Sequence, residues 1–108
     1  MEKRIFIMKD SIKYYKTDSF WSLSKNPEHA KRHYCITEEL LKNLNHVLNY
    51  DEENTVEKYP FYKNALIGYE DPETNEVVIT NQIVADGNKY KITTGTRENK
   101  LKRILKNE

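Results

Sequence analysis

The segment from Thr37 to Leu48 constrains the fold more than any other, because its apolar residues follow a helical period. Thr37 suits the N-cap position, and Glu38 and Glu39 follow it in the first turn, where acidic side chains are favourable. Five apolar residues come next: Leu40, Leu41, Leu44, Val47 and Leu48. At about 100° per residue they lie within an arc of roughly 120°. The pattern predicts an amphipathic helix that buries this stripe and leaves His46 solvated on the opposite side.

Segments before and after this helix are typical of antiparallel strands. "RIFIMK" (4–9) and "IKYYKT" (12–17) flank a two-residue polar break, which predicts a hairpin. Turn residues separate three later apolar segments, "ALIGYE" (65–70), "EVVITNQIVA" (76–85) and "KYKITT" (89–94). Asp86-Gly87 suits a type I′ turn between the last two. These segments predict an antiparallel meander.

Two further helices are predicted outside the central one. Asn26 suits an N-cap and Pro27 the first helical position, which predicts a helix from there to about Tyr34. The segment 97–106 predicts a final helix with Leu101, Ile104 and Leu105 buried. The resulting order is ββ-αα-βββ-α. We expect a single α+β domain over 1–108, with a mostly antiparallel sheet of about five strands and helices packed on one face.

Charge and cysteine content narrow the function classes. The formal net charge of +1 argues against an acidic mimic of DNA and against binding of nucleic acid by bulk positive charge. One cysteine cannot form an internal disulfide, and no apolar run approaches the roughly 20 residues of a membrane span. We therefore expect a cytoplasmic protein without a membrane partner.

His29 and His33 are the strongest candidates for chemistry, since they lie four residues apart on the predicted first helix. This spacing can chelate zinc, but Cys35 lies about 240° from His29 on the same helix and cannot complete the site. We expect no metal and no cofactor. A second interpretation is a metal-independent, toxin-like ribonuclease, in which the histidines transfer protons and Arg32 stabilises the transition-state charge. The third is an exposed helix face with no catalytic residue.

The segment from Tyr50 to Lys63 is long for a connection and lacks a period. It joins acidic residues to an aromatic cluster, a combination found at protein interfaces. Its candidate partner-binding residues are Asp51, Glu52, Glu53, Glu57, Tyr59, Phe61 and Tyr62. Acidic groups would steer a basic partner, and the aromatic rings would anchor it. The alternative is a loop whose rings fold back onto the core.

The C-terminal segment carries a basic ridge. Its candidate phosphate-contacting residues, with two from the preceding strand, are Lys89, Lys91, Lys100, Lys102, Arg103 and Lys106. Such a ridge predicts a nucleic-acid-binding regulator, or else a solvated helix face.

Surface aromatics with local charge outnumber the titratable groups that a catalytic site needs. We therefore expect a small non-enzymatic interaction protein that binds a macromolecular partner, most simply a protein. Abundant Lys, Asn, Ile and Tyr have AT-rich codons, which fits a low-GC bacterium or its mobile elements. A regulator or inhibitor of the phage counter-defence type is the most concrete expectation.

Overall fold

The computed structural model describes residues 2–18, 21–50 and 55–94. Within these ranges the strands are β1 (Lys3–Lys9), β2 (Ile12–Lys16), β3 (Leu23–Ser24), β4 (Arg32–His33), β5 (Leu66–Glu70), β6 (Val77–Asp86) and β7 (Lys89–Thr94). The α-helices are α1 (Glu38–Leu48) and α2 (Thr55–Lys58), and 3₁₀ turns cover Pro27–His29 and Pro60–Tyr62. The predicted α+β class is confirmed. The predicted final helix, with Leu101, Ile104 and Leu105, lies outside the described residues.

All strand pairs in the sheet are antiparallel, as predicted. The order is β3-β2-β1-β5-β6-β7, and β4 pairs with the first residues of β1. The described residues form seven strands rather than about five. The two extra strands, β3 and β4, have two residues each, so neither is long enough to show a sequence period.

The tight turns explain why adjacent strands pair. Asp10 and Ser11 have φ angles of 53° and 67°, as a type I′ hairpin turn requires, and the predicted first hairpin is confirmed. In the last hairpin Asp86 pairs with Lys89, so the central residues are Gly87 and Asn88. Of these only Gly87 has a positive φ, at 65°. This is the pattern of a type II′ turn, so the predicted type I′ turn at Asp86-Gly87 is wrong.

The predicted helix from Asn26 to Tyr34 is also wrong. Asn26 does cap a helical turn, because its side chain accepts a hydrogen bond from Glu28 N at 2.9 Å, but the turn ends at His29. Lys31 N then donates to Lys16 O at 2.9 Å, and β4 follows. The segment has no apolar stripe to bury as a helix, so backbone pairing with the sheet replaces helical hydrogen bonds.

Helix α1 forms where predicted and packs on one face of the sheet. Thr37 Oγ1 accepts a hydrogen bond from Leu40 N at 3.1 Å, which confirms the predicted N-cap. Leu44 and Leu48 are buried against sheet residues, and the buried core on this face consists of Ile5, Ile7, Trp21, Leu44, Leu48, Ala65, Ile67, Ile83 and Tyr90. Val47, expected in the buried stripe, is 43% exposed. It lies at one flank of the stripe, where it lines an open groove.

Asn49 ends α1 and joins it to the edge strand β7. Its side-chain Nδ2 donates to Tyr90 O at 3.0 Å, and Tyr90 N donates to its Oδ1 at 2.9 Å. The amide thus occupies the place that a neighbouring strand would take. Val56 N donates to Asn88 O at 3.1 Å, so α2 is held to the turn that precedes the same strand. The segment from Tyr50 to Lys63 therefore contains ordered elements, contrary to the expected irregular loop.

Candidate interaction surface

An open groove lies beside the C-terminal end of α1. It has a volume of about 260 Å³ and is lined by Val47, Leu48, Tyr50, Tyr59 and Tyr62. We call it the aromatic groove. Tyr50 is 77% exposed and Tyr59 is 46% exposed. Two large rings of the groove lining therefore face solvent. Scattered surface aromatics are common, but clustered ones around a groove are typical of interaction sites.

Contacts behind the aromatic groove hold its walls in place. Tyr90 Oη donates to Tyr59 O at 2.5 Å, and the rings of Tyr62 and Tyr90 meet edge to face at 6.1 Å. Burial, followed by the nearby Tyr59, raises the pKa of Tyr62 above its usual value. Tyr62 therefore stays neutral at physiological pH. His46 packs edge to face on Tyr50 at 5.9 Å and extends the rim.

The predicted partner-binding residues divide into four groups. Tyr59 and Tyr62 line the aromatic groove, and Glu57 is exposed on α2. Phe61 does not line the groove, because its ring packs on Tyr14 at 5.0 Å and on Tyr62 at 5.1 Å. Asp51, Glu52 and Glu53 lie outside the described residues. Phe61 therefore folds back onto neighbouring rings, whereas Tyr59 stays exposed, and its role in partner binding stays a prediction.

The sequence does not predict three of the residues that line the aromatic groove. Val47 and Leu48 were assigned to the buried helix stripe, and Tyr50 was named only as the start of the segment. A helix wheel contained part of the signal, since Val47 lies at one flank of the stripe. Nothing in the wheel shows that Tyr59 would approach that flank, because Tyr59 belongs to another element.

The two candidate histidines do not share a helix face. His29 Nδ1 contacts Ser24 Oγ at 3.1 Å, whereas His33 lies on β4 with its Nε2 3.3 Å from Lys16 Nζ. Arg32 is exposed on β4 and pairs with Arg4 of β1. No group of three His, Cys, Asp or Glu side chains within the described ranges is arranged to hold a metal ion. The ribonuclease hypothesis loses its predicted geometry and stays a prediction.

The basic candidates divide in a similar way. Lys89 and Lys91 are exposed on β7. Lys100, Lys102, Arg103 and Lys106 lie outside the described residues.

A cluster around Glu70 occupies the sheet face opposite the helices. Glu70 accepts hydrogen bonds from Lys13 Nζ at 2.7 Å and Arg4 Nη1 at 2.9 Å, and Tyr15 Oη lies 3.2 Å from it. Burial alone would raise the pKa of Glu70, but the bonds from Lys13 and Arg4 together lower it below its usual value. Burial and the Glu70 charge raise the pKa of Tyr15. We call this set the Glu70 cluster.

A second polar cluster lies around Lys16, which is 1% exposed. Its ammonium donates to the Asp18 carbonyl, contacts His33 and lies 5.6 Å from the centre of the Trp21 ring. Burial, followed by the charge of Lys31, lowers the pKa of Lys16, and Asp18 only partly opposes this. Burial, Lys16 and Lys31 likewise lower the pKa of His33. We call this set the Lys16 cluster.

Comparison of the chain with protein-family models, with curated proteins and with solved structures gives no match. Among the residues that the structure describes, no helix is both long enough and apolar enough to cross a membrane.

Proposed function

We propose that this protein is a small interaction protein that binds a protein partner through the aromatic groove. The observation that carries the proposal is the exposure of Tyr50, Tyr59 and Val47 around one apolar groove. Tyrosine is enriched among residues that dominate binding energy, because its ring contributes a large contact area and its hydroxyl a hydrogen bond.

Rigidity of the groove supports the same proposal. Asn49 fixes the end of α1 to β7, and Tyr90 fixes the backbone of Tyr59. Side chains and loops that are ordered before binding lose less entropy when they dock, so more of the contact energy appears as affinity. A groove built on these contacts is suited to a partner that fits its existing shape.

Acidic residues that are close in sequence to Tyr50 and Tyr59 favour a basic partner. Glu57 is exposed on α2, two residues before Tyr59, and Asp51, Glu52 and Glu53 follow Tyr50 in the sequence. Acidic groups at the rim of an interface raise the association rate of a basic partner more than they raise affinity. A protein of this kind acts by occupying a surface of its partner, as a regulator or an inhibitor does.

The test removes two exposed rings and leaves the fold intact. In Tyr50→Ala/Tyr59→Ala the Tyr59 carbonyl that accepts from Tyr90 is kept, so the melting temperature should change little. Wild type and variant are immobilised and used to capture proteins from a lysate of the source cells. Any captured protein is purified, and its affinity is measured for both. Loss of two anchors of about 1 kcal/mol or more each predicts at least tenfold weaker binding.

Tyr34→Ala is the matched control, because Tyr34 is 71% exposed and lies outside the aromatic groove. It should bind the partner as wild type does. Equal affinity for wild type and the double variant would contradict the proposal. Equal losses in the double variant and in Tyr34→Ala would contradict it too, since binding would then follow exposed tyrosine in general.

A further inference from the structure

The outer edge of β7 is bonded to Asn49 at Tyr90 but borders a groove at Ile92. In an antiparallel pair, residues alternate between exchanging hydrogen bonds with the neighbouring strand and directing their backbone groups away from it. Tyr90 directs its N–H and C=O outward, since both bond to the Asn49 side chain. Ile92 has the same parity, and its ladder partner Ile83 donates its N–H to Ala65 O on the other side. The donor and acceptor of Ile92 therefore also point to the outer edge.

A groove begins where the Asn49 contact ends. It has a volume of about 300 Å³ and is lined by Leu41, Lys42, Asn45, Lys91 and Ile92. We call it the edge groove. Asn45, one turn before Asn49, accepts a hydrogen bond from Asn49 Nδ2 at 3.2 Å, so α1 runs along the strand edge. Leu41 and Asn45 lie on one flank of the buried helix stripe and Val47 on the other, so the two grooves are separate.

The lining of the edge groove has the chemistry of a strand-binding site. Ile92 and Leu41 are half-buried apolar side chains, and Ile92 supplies an outward backbone donor and acceptor. An added strand gains main-chain hydrogen bonds from such an edge, while its alternate side chains meet the flanking pockets. Helix α1 supplies the second wall, which an isolated edge strand lacks.

The charge of its lining residues indicates which kind of segment the edge groove can bind. Lys42 on α1 and Lys91 on β7 are exposed on the two walls, and among the described residues no carboxylate lines the groove. A second copy of this chain, paired through its own β7, would bring another Lys42 and Lys91 to the same edge, and like charges close together across an interface are unfavourable. An acidic strand meets opposite charge instead.

We infer that the edge groove receives an extended acidic segment of a partner protein, which adds to the sheet as a strand beside Ile92. Glutamate or aspartate side chains at alternate positions meet Lys91, and the intervening apolar side chains meet Leu41 and Ile92. This second docking site is independent of the aromatic groove and goes beyond the function proposed above.

The test uses a synthetic probe, an eight-residue peptide that alternates Glu with Val. A second peptide has Lys in place of Glu, and a third has the Glu sequence with N-methylated backbone amides. Fluorescence anisotropy gives the affinities, and amide hydrogen exchange reports on Ile92. The Glu peptide should bind at least about tenfold more tightly than the Lys peptide, because like charges across an interface are unfavourable. It should slow exchange at Ile92, whereas the N-methylated peptide should not bind.

A charge reversal isolates the site. Lys42→Glu/Lys91→Glu changes two exposed side chains and should reverse the preference, so that the Lys peptide binds more tightly. Lys25→Glu/Lys63→Glu makes the same change in net charge at exposed positions outside the groove and should keep the wild-type preference. The aromatic-groove variant Tyr50→Ala/Tyr59→Ala should bind the Glu peptide as wild type does.

Three results would overturn the inference. Unchanged exchange at Ile92 with millimolar Glu peptide would show that no strand is added there. An equal effect of the two charge reversals would show attraction to net charge alone. Dimerisation of the wild type in sedimentation experiments, with Ile92 protected in the dimer, would show that a second copy occupies the edge.

Discussion

The Glu70 cluster and the Lys16 cluster both place cations beside the sheet, but only the first compensates them with a buried carboxylate. Glu70 contacts Arg4 and Lys13, and the result is a carboxyl group with a lowered pKa. Lys16 meets a backbone carbonyl and a histidine ring, and the pKa values of both Lys16 and His33 are lowered. The first cluster therefore favours its charged state, whereas the second opposes it. The cations beside Glu70 are therefore compensated by an opposite charge, whereas the burial of Lys16 is only partly compensated by Asp18.

Removal of Glu70 is expected to give the largest effect. Glu70→Ala leaves Arg4 and Lys13 without their carboxylate, and their side chains are only 18% and 30% exposed. Breaking a fully buried pair costs about 3 to 5 kcal/mol, so partial exposure reduces the expected loss to about 2 kcal/mol. Urea unfolding measures it, with exposed Glu76→Ala as the control. A loss no larger than that of the control would mean that the Glu70 cluster does not stabilise the fold.

Acid should destabilise the protein through Glu70 at low pH. Its pKa in the folded state lies below the usual 4.5, so the unfolded state binds a proton first as the pH falls. The contribution of Glu70 is complete above about 4.5 and is lost as the pH falls through the lower folded value. Melting temperatures between pH 6 and pH 2.5 should show this loss in wild type, and the loss should be smaller in Glu70→Ala. An identical pH dependence in both would contradict the assignment.

The Lys16 cluster should respond at higher pH and more weakly. The pKa of His33 in the folded state lies below 6.5, so the unfolded state takes up the proton more readily. The contribution of neutral His33 to the free energy of unfolding is complete above about pH 6.5 and is lost as the pH falls through the pKa of His33 in the folded state. In His33→Gln the melting temperature should depend less on pH in this window, whereas in exposed His29→Gln it should depend on pH as in wild type. A flat profile in wild type would mean that the cluster does not oppose protonation.

The smallest effect is a spectroscopic shift. Lys16→Met keeps an unbranched side chain near Trp21 and removes the ammonium beside His33, so the pKa of His33 should rise toward its usual value. NMR titration of the His33 ring protons measures the shift, and His29 in the same spectra is an internal reference. An unchanged pKa would show that burial and Lys31 lower it without a contribution from Lys16.

Short-range sequence patterns predict the elements of the fold that depend on interactions between residues close in the chain. The Thr37 cap and the leucine period gave α1, and the Asp10-Ser11 break gave the first hairpin. The Asn26 cap was real, yet it does not distinguish one helical turn from a full helix. Pairing of β4 with β1 decided that outcome, and it depends on residues far away in the chain.

The candidate site shows the same limit. Aromatic residues next to acidic ones predict Tyr59 and Tyr62, whereas the helix wheel predicts a buried Val47 because it cannot show which other elements lie beside the helix. The Glu70 cluster gave no sequence signal, since Arg4 and Glu70 are 66 residues apart and meet only through the register of β1 and β5.

Asn49 also fixes the C-terminal end of α1, so any motion of the helix has a defined centre of rotation. The helix has 11 residues and is about 16 Å long at 1.5 Å per residue, and its C-terminal end is bonded to β7. Any swing of α1 across the sheet therefore turns about Asn49. The aromatic groove adjoins Asn49 through Val47, Leu48 and Tyr50, whereas Leu41 and Lys42 of the edge groove lie about two turns away, so such a motion would change the width of the edge groove more than that of the aromatic groove.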